Sequence, residues 1–193
     1  MQASLSSKIT ELNLQSLEMY EGDDHEAMRE IRKLRALCWP RIYAGGNSLD
    51  DEFDACSIHW VLRGVDSRML AAARLSFHTN FKILPDPHLF AAYEPGLIRF
   101  PAGYISRLVV HPEARGRGIA VFLEETRIRH AIARGCKSMI AVWNPESGTM
   151  RQRQLLRRGF RSLDGETGWP DGPFGLSYVY FMDLTSSETQ IDE

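Results

Sequence analysis

Residues 115–118, with the sequence RGRG, combine the residue types that proteins use to bind phosphate groups. A strand-like run rich in β-branched residues precedes them and ends at Pro112, and apolar residues at helical spacing follow from Ile119 onward. The first turn of such a helix presents unpaired N–H groups and a partial positive charge. Glycine lets an anion approach the backbone closely because it lacks a Cβ atom, and each arginine adds positive charge. The sequence therefore predicts an anion-binding loop here.

Two common phosphate-binding motifs do not fit this loop. The glycine spacing is not G-x-G-x-x-G, and no Gly-Lys-Ser/Thr follows. Neither the dinucleotide-binding fingerprint nor the P-loop is therefore present. An ordinary strand–turn–helix unit with a glycine-rich turn remains the alternative to an anion site.

The elements that must position this loop alternate between strands and helices. Hydrophobic periodicity predicts the order β-α-β-β-(α)-β-α-β-α-β, a mixed sheet with helices on both faces. A continuous apolar run at 138–143 indicates a buried strand parallel to the central strand at 104–110, joined to it through the helix. The other predicted elements are strands at 12–20, 57–63, 68–77 and 177–184, helices at 24–38 and 147–158, a short helix within 84–93, and a loop at 169–173. We expect a single domain, residues 1–193, with frayed termini.

The loop also resembles a known family. Arg115-x-x-Gly118-x-Ala120 matches the Arg/Gln-x-x-Gly-x-Gly/Ala signature of the GNAT superfamily of N-acetyltransferases. The preceding residues 108–112 look like that family's strand before the loop, and Gly159-Phe160 matches a later feature. With its flanking elements, the resemblance covers about half the chain. It implies an α/β GNAT fold, with a central mixed, mostly antiparallel twisted sheet of six to seven strands, helices on both faces, and a splayed parallel pair that holds acyl-CoA.

The resemblance implies an acyltransferase that moves an acetyl group from acetyl-CoA to the amine of a small molecule or peptide, by direct attack on the thioester and without a metal. In the family the loop binds the pyrophosphate of coenzyme A, and the end of the central strand pairs with its pantetheine arm. A contact from the end of the next strand is a weaker expectation. The residues implied for cofactor binding are Leu108, Val109, Val110, Arg115, Gly116, Arg117, Gly118, Ile119, Ala120 and Asn144.

The sequence departs from the family at its proton-transfer residues. Leu155 stands where many members have a Tyr that acts as acid, and Gly148 stands where they often have an Asn. Tyr104 occupies the position of a Glu base, although its unperturbed pKa near 10 makes it a poor base. Tyr104 and Asp54 are the candidate catalytic residues; the alternatives are sheet packing for the tyrosine and a solvated loop charge for the aspartate. The departures also leave open an acyl-CoA-binding GNAT-fold module without turnover.

A second resemblance concerns the acceptor side. Arg35, Trp39, the acidic segment 51–54, Arg74-Leu75 and Ser106-Arg107 occur in the order seen in acyl-homoserine-lactone synthases, which are GNAT-fold N-acyltransferases. This resemblance implies that Glu52, Arg74 and Arg107 bind substrate. An arginine in a central strand needs a partner, so each of the two arginines either is ion-paired or clamps a substrate carboxylate in bidentate fashion.

Composition narrows the function class. A net charge of −2 and a pI near 6.3 argue against nucleic acid as a partner. Three cysteines without C-x-x-C spacing predict a reducing compartment, with neither a disulfide framework nor a zinc site. No secretory signal or membrane-length apolar run is visible, so we expect a cytoplasmic protein without membrane contact. The expected partners are acyl-CoA and an amine substrate, and a homodimer is compatible with the sequence.

Overall fold

The structure is a computed structural model that describes residues 14–40, 50–85, 87–90, 93, 96–145, 149–163, 169–172 and 175–185. Its helices are α1 (His25–Cys38), α2 (Ile119–Ala133) and α3 (Thr149–Arg157). Its strands are β1 (Leu14–Glu21), β2 (Ile58–Gly64), β3 (Met69–His78), β4 (Ala102–Val110), β5 (Ser138–Trp143), β6 (Arg161–Ser162), β7 (Trp169–Gly172) and β8 (Gly175–Asp183).

The strands form one mixed sheet in the order β1-β2-β3-β4-β5-β8-β6, and β7 pairs with β8 outside this path. The β4–β5 pair is parallel, as the apolar run at 138–143 predicts. Five further pairings are antiparallel, namely β1–β2, β2–β3, β5–β8, β6–β8 and β7–β8. The predicted mixed, mostly antiparallel sheet of six to seven strands, with its parallel pair, is confirmed.

Two local predictions have different outcomes. The segment 84–93 was predicted to hold a short helix, and the structure has a short 3₁₀ helix there at Pro87–Phe90, preceded by another at Phe81–Ile83. The prediction for residues 169–172 was wrong. Residues 169–172 were predicted as loop because they contain Pro and Gly, yet they form β7. A proline without an N–H is tolerated in a strand that lies outside the main ladder.

By its contacts the chain divides into two compact units, Met1–Ser76 with Arg107–Thr126, and Phe77–Ser106 with Arg127–Glu193. In the first unit, Asp24 is the N-cap of α1, and its carboxylate accepts hydrogen bonds from the N–H groups of Glu26 and Ala27. The apolar face of α1 packs into a buried cluster. Burial of each large apolar side chain in such a cluster stabilises the fold by about 1.5–3 kcal/mol. The cluster contains Met28, Ile31, Leu34, Val61, Met69, Ala72 and Val109. The expectation of a single domain stays a prediction.

The second unit has its own apolar cluster, to which the central strand contributes Tyr104. The other members are Leu84, Phe90, Ile98, Ala102, Ile140, Val179 and Phe181. Strand β5 is almost entirely buried, which explains its continuous apolar sequence. Within the part of the chain that the structure describes, no helix has the length and apolar character needed to cross a bilayer.

Candidate functional site

Strand β4 leads to the glycine loop and loses its parallel partner on the way. The β4–β5 ladder runs from Ala102–Ser138 to Ile105–Ala141, and it ends there although β4 continues to Val110. Two residues past the end of the ladder, Arg107 has a φ of 52°, in the left-handed region that residues other than glycine rarely adopt. The end of β4 therefore departs from regular parallel pairing before the chain reaches the loop.

The glycines of the loop have the backbone that only glycine adopts without strain. The φ values are 77° at Gly116 and 81° at Gly118. The N–H of Phe122 donates to the carbonyl of Gly118 at 3.0 Å, so α2 begins directly after this glycine. The N–H groups of Ile119 and Ala120 then lie in the first turn, where no intrahelical acceptor exists. The loop thus ends in a helix N-terminus that favours an anion.

Both arginines of the loop brace its backbone. The Nε of Arg115 donates to the carbonyl of Val110 at 3.1 Å, and Nη2 of Arg117 donates to the carbonyl of Glu113 at 3.2 Å. Both residues are exposed. A guanidinium has five N–H donors, so each arginine retains donors for an anion at the loop.

A family profile described as the acetyltransferase (GNAT) family matches residues 13–160. The chain belongs to the GNAT family. This confirms the resemblance inferred from Arg115, Gly118 and Ala120, and the match extends well beyond the loop that carries it. No curated protein matches the sequence.

Solved structures show the same fold at low sequence identity. The ribosomal-protein-S18-alanine N-acetyltransferase from Escherichia coli has a TM-score of 0.57 and 10% identity, covering 92% of this chain and 100% of that one. A GNAT family acetyltransferase from Elizabethkingia anophelis with acetyl-CoA bound has a TM-score of 0.55 and 14% identity, covering 89% and 99%. A GNAT family acetyltransferase from Staphylococcus aureus Mu50 has a TM-score of 0.57 and 10% identity, covering 88% and 99%. These similarities establish the fold of the GNAT chain.

In the first unit, this GNAT chain has a row of alternating charges, which we call the charge line. Arg35 donates to both carboxylate oxygens of Asp54, at 2.7 and 2.9 Å. Arg74 donates to Asp54 at 3.0 Å and to both oxygens of Asp51. Arg107 in turn donates to Asp51 through Nη2 at 2.7 Å. Asp50 lies 3.5 Å from Arg35 and also accepts a hydrogen bond from Arg32. In order, the charge line is Arg32, Asp50, Arg35, Asp54, Arg74, Asp51 and Arg107.

The charge line determines how its carboxylates ionise. Burial alone would raise the pKa of the Asp54 carboxyl, but the guanidinium groups of Arg35 and Arg74 outweigh it and hold that pKa well below its usual range. The pKa of Asp51 is lowered in the same way, against burial, by Arg74 and Arg107. Both are therefore ionised near neutral pH and engaged by arginines. Asp54, predicted as a catalytic residue, is held by Arg35 and Arg74, and its catalytic role stays a prediction.

Glu52, predicted to bind substrate, and the nearby His59 have different surroundings. Glu52 is exposed and forms no ion pair with any residue that the structure describes. His59 is buried and donates from Nε2 to the carbonyl of Asp54 at 3.0 Å. Burial lowers the His59 pKa, although Asp54 opposes the shift, so the ring is neutral near pH 7. Residues 41–49, which precede the acidic segment 51–54 in the chain, lie outside the described residues.

Tyr104 lies in the second unit, 4% exposed. Its ring meets the ring of His78 edge to face, with 6.1 Å between centroids. His78 is also buried, and its Nδ1 donates to the carbonyl of Ile83 at 2.6 Å. Sequence reasoning missed His78. Its only signal is a histidine at the end of an apolar strand.

Three further positions from the sequence analysis are Leu155, Gly148 and Asn144. Leu155, where many members have a Tyr, lies on α3 and is 0% exposed. Gly148, where they often have an Asn, lies outside the described residues. Asn144 follows the last residue of β5 and is half-buried, so its contact with the cofactor stays a prediction.

Proposed function

We propose that this chain is an N-acetyltransferase that transfers the acetyl group of acetyl-CoA to the amine of a small molecule or peptide. The observation that carries the proposal is the loop after β4. Two left-handed glycines, Gly116 and Gly118, lead directly into the N-terminus of α2. Such a backbone accepts a pyrophosphate, because it offers N–H groups at a positive helix end without interfering side chains. Arg115 and Arg117 add charge on the same loop.

Each part of the cofactor site follows from these residues. The backbone of residues 116–120 would hold the pyrophosphate of acetyl-CoA. The end of β4, Leu108 to Val110, would pair with the peptide-like pantetheine arm. Acetyl-CoA supplies an activated acyl group as a thioester. A backbone N–H at the same strand end would donate to the thioester oxygen as negative charge develops on it, which stabilises the transition state.

Two proton movements accompany direct attack by the amine. The amine must lose a proton before it attacks, and the phenolate form of Tyr104, beside the ring of His78, is our candidate to receive it and so become the neutral phenol. The leaving thiolate has a thiol pKa near 8.5, so it needs little or no acid. The fully buried Leu155 is compatible with a thiolate that leaves unassisted.

A second candidate function is favoured by the same leucine. A GNAT-fold module that holds acyl-CoA without turnover would also lack an acid at position 155. The two candidates make the same prediction for cofactor binding and opposite predictions for release of the free thiol in the presence of amines.

The deciding experiment is a calorimetric titration of acetyl-CoA and free CoA into the wild-type protein and Gly118→Trp. We expect micromolar binding to the wild type and none to the variant, because the indole would occupy the loop. Failure of the wild type to bind either ligand would overturn both candidates. Thiol release with a broad amine panel would then support the enzyme, whereas binding without release would support the module.

A further inference from the structure

The charge line begins and ends with an arginine, so each of its carboxylates lies between two guanidinium groups. Within the described residues, its two terminal arginines each have one carboxylate partner: Arg32 has Asp50, and Arg107 has Asp51. The two ends differ in their access to water. The Arg32 side chain is 46% exposed, whereas that of Arg107 is 13% exposed. Water can therefore hydrate the Arg32 guanidinium at one end of the charge line, whereas the Arg107 guanidinium at the other end is largely shielded from water.

One nitrogen atom of Arg107 lacks a hydrogen-bond acceptor among the described residues. Nη1 of Arg107 is out of contact with solvent and has no hydrogen-bond acceptor among the described residues. A buried charged donor without an acceptor is unfavourable, so an unmatched group of this kind calls for an explanation. The backbone of the same residue is strained, with a φ of 52°. Strain and an unmatched donor at one residue are typical of a ligand site.

Arg74 cannot supply the same site. Both of its terminal nitrogens already donate to carboxylates, Nη1 to Asp51 and Asp54, and Nη2 to Asp51. Of the two arginines expected to bind substrate, Arg107 is therefore the one whose Nη1 can donate to a ligand. It is also adjacent to Leu108, the first residue of the strand end assigned above to the pantetheine arm.

We propose that the acceptor amine carries a carboxylate close to its amino group and that this carboxylate binds Arg107. The inference rests on the acetyltransferase function proposed above and names its substrate class as amino acids and their derivatives. A carboxylate suits the site because it is an acceptor-only group whose two oxygens match the fork of a guanidinium. It would extend the alternation of the charge line by one negative group. An amine held in this way lies beside the strand end that presents the thioester.

The test compares each amine with and without its carboxylate. The probes are a panel of L-amino acids, the corresponding amino-acid amides, S-adenosylmethionine, and carboxylate-free amines. Thiol release gives kcat/KM for each probe, expressed per free amine because amides and acids differ in amine pKa. For the preferred amino acid, we expect the acid to exceed the amide by at least tenfold in the wild type. Arg107→Gln should reduce that ratio to about one, and Arg107→Lys should retain part of it.

A matched control separates the site from general loss of an ion pair. Arg63 is 18% exposed and is held by Glu18 and Glu30, so it resembles Arg107 in burial and pairing. Arg63→Gln should leave the ratio of acid to amide unchanged. The ratio is measured within one protein, so it does not depend on how much of a variant is folded. If Arg107→Gln does not fold, the wild-type ratio and Arg107→Lys still decide.

Each outcome has one meaning. A high ratio that Arg107→Gln abolishes supports the inference. Equal turnover of acids and amides, or a high ratio that survives Arg107→Gln, overturns the inference while the acetyltransferase function stands. Turnover of carboxylate-free amines alone has the same meaning. If acetyl-CoA binds but no probe is acetylated, the inference fails and the module without turnover is favoured. If acetyl-CoA does not bind, the proposed function fails and the inference falls with it.

Discussion

Asp54 accepts two hydrogen bonds from Arg35, at 2.7 and 2.9 Å, and both side chains are buried. The pair joins α1 to the segment that precedes β2, 19 residues further along the chain. Because Arg74 also donates to Asp54, one carboxylate holds a helix and a strand together within the first unit. The pair therefore has a structural role that can be measured apart from catalysis.

We predict that Asp54→Asn destabilises the protein by about 3–5 kcal/mol, because it removes the buried carboxylate charge that Arg35 and Arg74 share. Urea unfolding at pH 7 measures the effect. The control Glu113→Gln removes a carboxylate from an exposed pair with Arg68 and should change stability little. An Asp54→Asn variant as stable as the wild type would show that the pair does not hold the fold.

The charge line also predicts acid sensitivity. The folded-state pKa values of Asp51 and Asp54 are lowered, so the unfolded chain takes up protons first as the pH falls. The stabilisation from these groups is complete above the unfolded pKa, near 3.9, and is lost as the pH drops below it. Urea unfolding from pH 7 to pH 3 should show this loss, and Asp54→Asn should show a shallower one. Parallel pH profiles for the two proteins would contradict the assignment.

A pair of glycines allows a matched test of the loop. Gly116 and Gly135 have φ values of 77° and 74°, and a Cβ at either position would meet nothing within 4 Å. Substitution by alanine at either position should therefore lower the free energy of unfolding by about 1–2 kcal/mol, through backbone strain alone. We expect Gly116→Ala to weaken CoA binding at least tenfold in calorimetry and Gly135→Ala to leave it unchanged. Equal CoA affinity of the two variants would argue against pyrophosphate at the loop.

The candidate base can be tested by removing one oxygen atom. We expect Tyr104→Phe to lower kcat at least tenfold, because the Tyr104 phenolate is the proposed proton acceptor, while the Kd for acetyl-CoA stays within about twofold of the wild type. The ring stays in its apolar cluster, so stability should change little. Tyr178→Phe is the control, since that ring packs on Trp143 in the same unit. An unchanged kcat in Tyr104→Phe would assign Tyr104 to packing.

Features with local causes were predictable from the sequence. The apolar stripe of α1, the apolar run of β5 and the glycine loop each depend on residues close together in the chain, and the structure places all three near their predicted positions. The charge line was not predictable as a unit. Arg107 and Asp51 are 56 residues apart, and only the pairing of distant elements brings them together. The second resemblance groups Arg35, the segment 51–54, Arg74 and Arg107, but it does not indicate which of these residues pair with one another.

A tyrosine can be introduced at Leu155, where the chain lacks the acid found in many family members. Leu155 is 0% exposed, so Leu155→Tyr must fit a larger, polar side chain into a filled site, and we expect a loss of about 1–3 kcal/mol in urea unfolding. Because the thiolate can leave without an acid, kcat should not rise. Leu156→Tyr is the matched control, since the neighbouring residue is 50% exposed and should accept a tyrosine without loss. If Leu155→Tyr instead folded with wild-type stability and raised kcat, an acid at this position would assist the leaving thiolate, and the proposal of unassisted departure would be wrong.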